Sequence, residues 1–191
     1  MVKHNTKRYA TAMVVLSIAL FLCFSFFRNN LVFKNINDIW ENTTTTITIV
    51  TIIHFLFVSW AWKWKLFQGW LVPFPCLSGK WSGEIISTYK SESQPIPINV
   101  VIKQHFLNIQ IQLKTDESKS VSICGSFDID EDRGIRRLIY SYQNDPKVAV
   151  RSHSEIHYGT VRLDISDDSK TLMGEYWTDR KTTGEISMFK L

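Results

Sequence analysis

Aromatic rings and arginines are the side chains of this sequence best suited to binding a ligand. The aromatic residues recur near the ends of alternating segments: Trp81, Tyr140, Tyr142, His157, Tyr158, Tyr176 and Trp177. The arginines occur at or near polar, turn-like stretches: Arg136, Arg137, Arg151 and Arg180. Rings stack on flat bases, and guanidinium groups make cation–π contacts and charge-assisted hydrogen bonds. The combination suits a ligand that carries bases and phosphates.

Alternation reduces this set to a candidate site. The predicted ligand-binding residues are Trp81, Tyr140, Tyr142, Tyr176, Thr178 and Arg180. The four aromatic members fall at inward-facing positions of their segments, and the other two follow Tyr176 into the next turn. The alternative for each residue is that the ring only fills the interior and the arginine is solvated.

Two candidate metal-binding motifs in this sequence do not have the residues or the geometry that metal binding requires. The stretch that begins at Asp128 resembles an EF-hand loop, which needs Gly at its sixth position and Glu at its twelfth. Arg133 and Ile139 stand there instead. His153 and His157 are four apart, but on a strand or loop that spacing does not fix a metal geometry. The sequence predicts no catalytic residue, no metal site, no cofactor and no enzyme activity.

The elements that would position the candidate site are eight short strands. They are GKWSGEIISTYK, IPINVVIKQ, FLNIQIQLKT, SVSICGSFDID, IRRLIYSYQ, HYGTVRLDIS, TLMGEYWTD and TGEISMFKL. Polar turn signals separate most of them, and no helical period interrupts them. Strands in this meander order predict a small antiparallel β-barrel of roughly eight strands, or a sandwich.

Alternation also assigns faces to these strands. Ile109, Ile111 and Leu113 are predicted to face one way, and the intervening residues the other. The sets Val121, Ile123 and Phe127, and Val161, Leu163 and Ile165, are each predicted to share an apolar face. Eight closed strands leave an interior wide enough for packed side chains or one small ligand.

Two long apolar stretches precede the strands. Residues 9–27 contain no charge, and a bilayer-crossing helix needs about 20 residues. The stretch is longer than a signal-peptide core and ends in FSFFRNN, which is no typical cleavage site. Residues 43–62 are also uncharged; a soluble core strand is the alternative to a second span. We therefore predict residues 1–76 as a two-helix anchor and residues 77–191 as the barrel domain.

The charge is divided between these two parts. Residues 77–191 hold 15 basic and 16 acidic residues, whereas residues 1–76 hold 7 basic and 2 acidic residues. A basic face for a nucleic-acid polymer would need excess Lys and Arg on the folded domain. The positive charge instead predicts membrane topology, with the N-terminus and the barrel cytoplasmic and the connecting loop outside.

The stretch WAWKWKLFQGWLVPFPC is predicted to be the exit from the bilayer. Its tryptophans suit an interfacial belt, with Trp60 and Trp64 on one helical face, and its lysines can reach lipid headgroups. The helix should end before the prolines. His54 lies in the second span, where we expect a neutral imidazole hydrogen-bonded to the neighbouring helix; a functional role is the alternative.

The whole chain resembles the CBASS anti-phage effectors that carry two transmembrane helices and a β-strand-rich domain, the cyclase-associated membrane effectors. The resemblance rests on the two spans, the PFP linker, GKWSG at the start of the domain and GEYWTDRKTTGEISM at its end. It implies an inner-membrane, multi-pass protein whose barrel binds a cyclic dinucleotide made by a partner nucleotidyltransferase. It also implies that the protein then forms a homo-oligomer whose helices disrupt the lipid bilayer.

Three functional hypotheses predict different barrel interiors. A cyclic-dinucleotide effector predicts polar and cationic groups converging at the barrel mouth. A membrane-anchored, lipocalin-like barrel predicts an open apolar cavity. A structural or assembly protein predicts a packed interior with no pocket. Since a cyclic dinucleotide is large beside an eight-stranded interior, we expect it at the mouth or between two barrels.

Overall fold

The computed structural model describes residues 7–29, 35–88, 94–152 and 154–191. The chain forms two compact units, with the division in sequence between Pro73 and Phe74. The first contains two helices, and the second is an all-β domain.

The helices of the first unit are α1, Lys7–Asn29, and α2, Ile36–Ser59. Both are long and apolar enough to cross a bilayer by length and composition, and most of each apolar window is exposed. Helices suit such an environment because each satisfies its backbone hydrogen bonds internally.

Several polar contacts join α1 to α2. The hydroxyl of Tyr9 lies 2.7 Å from Nδ1 of His54, and the Tyr9 ring stacks on Phe57 with centroids 4.9 Å apart. The buried pair Asn42 and Ser25 forms a second hydrogen bond of 3.4 Å, from Nδ2 to Oγ. The predicted hydrogen bond from His54 to the neighbouring helix is thus confirmed.

The segment after α2 is not a continuation of the helix. α2 ends at Ser59, and two short 3₁₀ turns follow, Ala61–Lys63 and Lys65–Phe67. The backbone leaves helical geometry at Trp60, where φ is −143°. Trp60 and Trp64 therefore do not share the face of one helix, although their rings meet edge to face with centroids 4.7 Å apart.

The second unit is a closed, eight-stranded antiparallel barrel in which each strand pairs with its sequence neighbours and β8 closes onto β1. The strands are β1, Gly79–Ser87; β2, Ile96–Gln104; β3, Ile109–Lys114; β4, Ser118–Asp130; β5, Ile135–Pro146; β6, His157–Ile165; β7, Thr171–Thr178; and β8, Thr183–Lys190. The predicted fold, two apolar helices followed by an eight-stranded antiparallel barrel, is confirmed.

The face assignment of β4 was wrong in part. Val121 is 40% exposed and Ile123 is 64% exposed, whereas Phe127 is buried. The register of β4 against β5 shifts between Ser122 and Cys124. A bulge of this kind adds one residue and reverses the alternation beyond it. The assignments of β3 and β6 are confirmed, since their predicted inward residues are buried.

Residues 74–77 pack at one end of the barrel, which we call the linker end. The buried side chain of Gln104 binds this segment through two hydrogen bonds. Its Oε1 accepts from the backbone N–H of Leu77 at 2.7 Å, and its Nε2 donates to the carbonyl of Pro75 at 3.0 Å. The linker is thereby part of the barrel's hydrogen-bonded structure.

Aromatic rings fill the interior of the linker end. Phe74 stacks on Phe127 with centroids 5.3 Å apart and lies 5.8 Å from the ring of Phe106. Trp81 is 1% exposed, and its Nε1 donates to the carbonyl of Leu77 at 3.0 Å. The rings bury apolar surface while the indole N–H keeps a partner.

Candidate functional site

A cavity of about 670 Å³ occupies the opposite end of the barrel, which we call the cavity end. The strand ends that flank the β1–β2, β3–β4, β5–β6 and β7–β8 connections all lie at this end, because consecutive strands are antiparallel. Ligand pockets for small molecules commonly have volumes of roughly 300–1,000 Å³. The structural-protein hypothesis predicts a packed interior without a pocket, and this end of the barrel does not agree with that prediction.

The structure divides the six predicted binding residues between the cavity and the core. Four of them line the cavity: Tyr142, Tyr176, Thr178 and Arg180. Trp81 and Tyr140 also face inward, as alternation predicted, but they are buried in the core and do not line the cavity. Their participation in ligand binding stays a prediction, with less geometric support than that of the other four.

Two glycines make room for the cavity tyrosines. Tyr142 lies directly across from Gly159, and Tyr176 from Gly184. A Cβ on Gly159 would stand 2.5 Å from both Cζ and the hydroxyl oxygen of Tyr142. A Cβ on Gly184 would stand 2.5 Å from Cε1 of Tyr176. Each ring therefore lies against the neighbouring strand at a position where only glycine avoids a clash.

Burial keeps both cavity phenols protonated. It raises the pKa of Tyr142, an effect that nearby Tyr176 and Asp179 reinforce and Arg180 opposes. Burial also raises the pKa of Tyr176, although its hydrogen bond to Ser87 opposes the shift. That bond runs from the Tyr176 hydroxyl to the Ser87 hydroxyl at 2.6 Å. Neutral phenols can donate hydrogen bonds to an anionic ligand without repelling it.

Thr178 fixes the turn that carries Arg180. Its hydroxyl lies 2.6 Å from that of Thr182, and its backbone N–H donates to the Thr182 carbonyl at 3.0 Å. Within the turn Lys181 adopts φ of 62°, and its N–H donates to the Thr178 carbonyl at 3.1 Å. Thr178 thus positions the guanidinium, which lines the cavity near Tyr142.

The other predicted arginines form ion pairs away from the cavity lining. The pairs are Arg136 with Asp167 at 3.1 Å, Arg137 with Asp164 at 2.7 Å, and Arg151 with Asp145 at 2.8 Å. These pairs are partly exposed to solvent, and such pairs contribute little to stability. Arg180 is the arginine that the structure places at the cavity.

Sequence reasoning missed most of a row of buried polar residues: it named His157 among the aromatic residues but kept no member of the row in the candidate site. Ser120, Asn144 and His157 line the cavity and are paired across β4, β5 and β6. They are 9%, 7% and 8% exposed. The available signal was a gradient of polarity: along β5 the inward residues change from Leu138 through two tyrosines to Asn144.

The charges at the cavity are separated across its rim. Asp116 and Glu117 lie in the β3–β4 connection, and Arg180 lies in the β7–β8 connection. In a closed barrel of eight strands in sequential order these two connections are opposite each other. An anionic group is therefore favoured on the β7–β8 side and disfavoured on the β3–β4 side.

Within the described residues, no group of three or more His, Cys, Asp or Glu side chains could hold a metal ion. His153, one half of the rejected histidine spacing, lies outside those residues.

An antiparallel barrel with a polar, aromatic-lined cavity at one end is suited to binding a small molecule. Residues 72–190 match the family described as "Cap15, cyclic dinucleotide receptor domain", and the chain belongs to this family. It is a family of receptors and not of enzymes. CD-NTase-associated protein 15 from Staphylococcus schleiferi is 36% identical over 115 residues. The alignment covers 60% of this chain and 60% of that relative.

Proposed function

We propose that this protein is a cyclic-dinucleotide-activated, non-enzymatic effector of bacterial anti-phage defence. A partner nucleotidyltransferase supplies the ligand, and two helices anchor the protein in the inner membrane with the N-terminus and the barrel in the cytoplasm. Ligand binding drives homo-oligomerisation, and the helices then disrupt the lipid bilayer. Family membership supports the ligand class, and the apolar helices support membrane association.

The observation that carries the proposal is the lining of the cavity. Tyrosine rings, buried polar groups and one arginine converge at the barrel mouth. The rings offer surfaces for stacking on bases, and Arg180 offers charge-assisted hydrogen bonds to a phosphate. An apolar ligand in a lipocalin-like barrel would cover Nδ2 of Asn144 and Nε2 of His157 without offering them hydrogen bonds, at a cost in free energy.

Assembly follows from binding if the ligand favours the associated state. A ligand shifts an equilibrium only by its difference in affinity between two states. A ligand held at the mouth of one barrel and also contacted by a second barrel would have such a difference. Homo-oligomerisation is thus proposed as the consequence of occupancy at the cavity end.

The test is a thermal-shift measurement on the full chain in detergent micelles with a panel of cyclic dinucleotides. A ligand at about 100 times its dissociation constant adds about 2.7 kcal/mol to the stability of the state that binds it. We expect a clear rise in melting temperature for at least one member. Arg180→Gln should reduce that rise, whereas Arg162→Gln, whose side chain pairs with Glu175 outside the cavity, should not.

A shift with none of these ligands would contradict the proposal. Equal responses of the Arg180 and Arg162 variants would leave the ligand class intact but remove Arg180 from the site. The assembly step has its own readout, since analytical ultracentrifugation of the unsubstituted chain should show larger species only with the active ligand. Leakage of a dye from vesicles containing the protein should require the same ligand.

A further inference from the structure

We infer that Asn144 and His157 recognise the hydrogen-bonding edge of one base of the bound ligand. This inference rests on the proposed function, because it assigns roles within the same cavity. The two residues are direct cross-strand partners on β5 and β6, and both line the cavity while being more than nine-tenths buried. Neighbouring polar groups at such positions can together form a recognition pair.

The hydrogen-bonding role of Asn144 is set by Ser120. The Ser120 hydroxyl donates to Oδ1 of Asn144 at 2.8 Å, which fixes the orientation of the amide. The Nδ2 group makes no hydrogen bond within the described residues. Asn144 lines the cavity, and this nitrogen is not fully enclosed by protein, so its N–H groups are available to a ligand acceptor. Asn144 is therefore the donor of the pair.

The role of His157 is set by its own backbone. Nδ1 lies 2.9 Å from the carbonyl oxygen of Glu155. A carbonyl only accepts, so Nδ1 carries the proton of this hydrogen bond, and Nε2 of the neutral ring is then an acceptor. Within the described residues Nε2 has no partner of its own. His157 is therefore the acceptor of the pair.

A donor beside an acceptor complements a base edge with an acceptor beside an N–H donor. Adenine offers that pattern through N1 or N7 with its exocyclic amine, and guanine offers it through O6 and N1–H. The opposite edge of guanine, with two acceptors, does not fit. The position of Arg180 agrees with this placement, because Arg180 lines the same cavity near Tyr142, so a phosphate bound there would adjoin the strands that read the base.

The test is to change the pattern of donors and acceptors without changing the shape. Asn144→Asp replaces the amide donor by a second acceptor, which complements the two N–H donors of guanine. Isothermal titration of the full chain in detergent measures the dissociation constants for cyclic di-AMP and cyclic di-GMP. Relative to the unsubstituted chain, the preference for cyclic di-GMP over cyclic di-AMP should increase by about 5- to 100-fold. Asn144→Leu removes the donor. The dissociation constants for cyclic di-AMP, cyclic di-GMP and cyclic di-UMP should then differ less from one another than in the unsubstituted chain.

Asn99→Asp is the matched control, since Asn99 is exposed on β2 and the charge change is the same. It should leave the ratio unchanged. His157→Phe offers a second route, because it removes the acceptor and should also alter selectivity. Melting temperatures without ligand identify any variant that fails to fold.

The outcomes separate the inference from the proposed function. If the Asn144 and His157 variants weaken all probes by one common factor, the pair does not read a base, and the inference is overturned while the proposed receptor function stands. If the unsubstituted chain binds none of the cyclic dinucleotides, the proposed function falls and the inference falls with it. A change in ratio confined to the cavity variants supports the base-reading pair.

Discussion

The linker end and the cavity end of the barrel are built from the same eight strands but have opposite interiors. At the linker end Phe74, Phe127 and Trp81 fill the space, and Gln104 binds backbone groups of the linker. At the cavity end the inward positions hold tyrosines and small or polar side chains around an open space. A barrel can thus use one half of its interior for stability and the other half for ligand recognition.

The contrast teaches that the polarity of inward residues, and not alternation alone, locates the site. Alternation places Leu163 and His157 on the same face of β6, yet the first is in the core and the second lines the cavity. Unfilled volume at the cavity end costs packing contacts that the linker end retains. We therefore expect substitutions at the linker end to affect stability, and substitutions at the cavity end to affect binding.

The largest effect is expected for Trp81→Ala. Removing a fully buried indole should lower the free energy of unfolding by about 3–5 kcal/mol. Urea unfolding of the full chain in detergent, followed by far-ultraviolet circular dichroism, measures the change. Trp177→Ala is the matched control, because Trp177 is 44% exposed and should cost less than 1 kcal/mol. Equal costs at the two positions would remove the distinction between core and surface tryptophans.

Gln104→Leu should cost about 2–4 kcal/mol. The substitution keeps the volume but leaves the buried N–H of Leu77 and the carbonyl of Pro75 without their partner. Gln143→Leu, on the exposed face of β5, should change stability little. Affinity for the cyclic dinucleotide should be the same in both variants. A selective loss of affinity in Gln104→Leu would show that the two ends are coupled.

Alkaline pH should destabilise the barrel through its buried phenols. Burial raises the pKa of Tyr140 and Tyr142 above the ordinary value of about 10. Above about pH 10 the unfolded chain loses these protons while the folded barrel keeps them, so stability is constant below that pH and falls as the pH rises. Each phenol lowers the free energy of unfolding by about 1.4 kcal/mol per pH unit above pH 10. The two phenols together therefore lower it by about 2–3 kcal/mol at pH 11.

Tyr140→Phe sharpens this prediction, since Tyr140 lies in the core and Tyr142 at the cavity. Because burial also raises the pKa of Tyr176, the variant should lose about a third to a half of the decline between pH 10 and pH 11 in a series of unfolding measurements. A decline that is identical in the variant would assign the effect to other groups.

The sequence predicted the fold well because each β-strand is marked by a local pattern of alternating side chains and flanking turn residues. Turn signals and alternation gave all eight strands within a few residues of their observed bounds, and two uncharged stretches gave both helices. The bulge in β4 was missed, since an added residue in ICG has no distinctive composition. The end of α2 at Ser59 was also missed, because the residues from Trp60 to Val72 contain no proline to mark it.

The site was less predictable because depth along the barrel is a three-dimensional quantity. Tyr140 and Tyr142 are equivalent by alternation, but only Tyr142 reaches the cavity. Ser120 and Asn144 are not recognisable as site residues when each is considered alone. They become candidates only when the structure shows that they are cross-strand partners. The glycines opposite the tyrosines, Gly159 and Gly184, were the local signal that two rings needed space.

Gly159→Ala should cost about 1–3 kcal/mol and should also weaken ligand binding. The added Cβ overlaps the ring of Tyr142 and forces it away from β6. The double variant Gly159→Ala with Tyr142→Leu should cost less than the sum of the single variants, because the smaller side chain relieves the overlap. Additive costs in the unfolding measurements would place the Tyr142 ring elsewhere.

The smallest effect is expected for Tyr176→Phe. The change removes only the hydroxyl that donates to Ser87, so it should cost about 1 kcal/mol in the free energy of unfolding. Tyr158→Phe, at a ring that is 52% exposed outside the barrel, should cost almost nothing. A ligand contact made by the Tyr176 hydroxyl would make the loss of affinity larger than the loss of stability. If the stability cost instead approached that of Trp81→Ala, the cavity end would be as important for folding as the linker end, and the division between the two halves would be wrong.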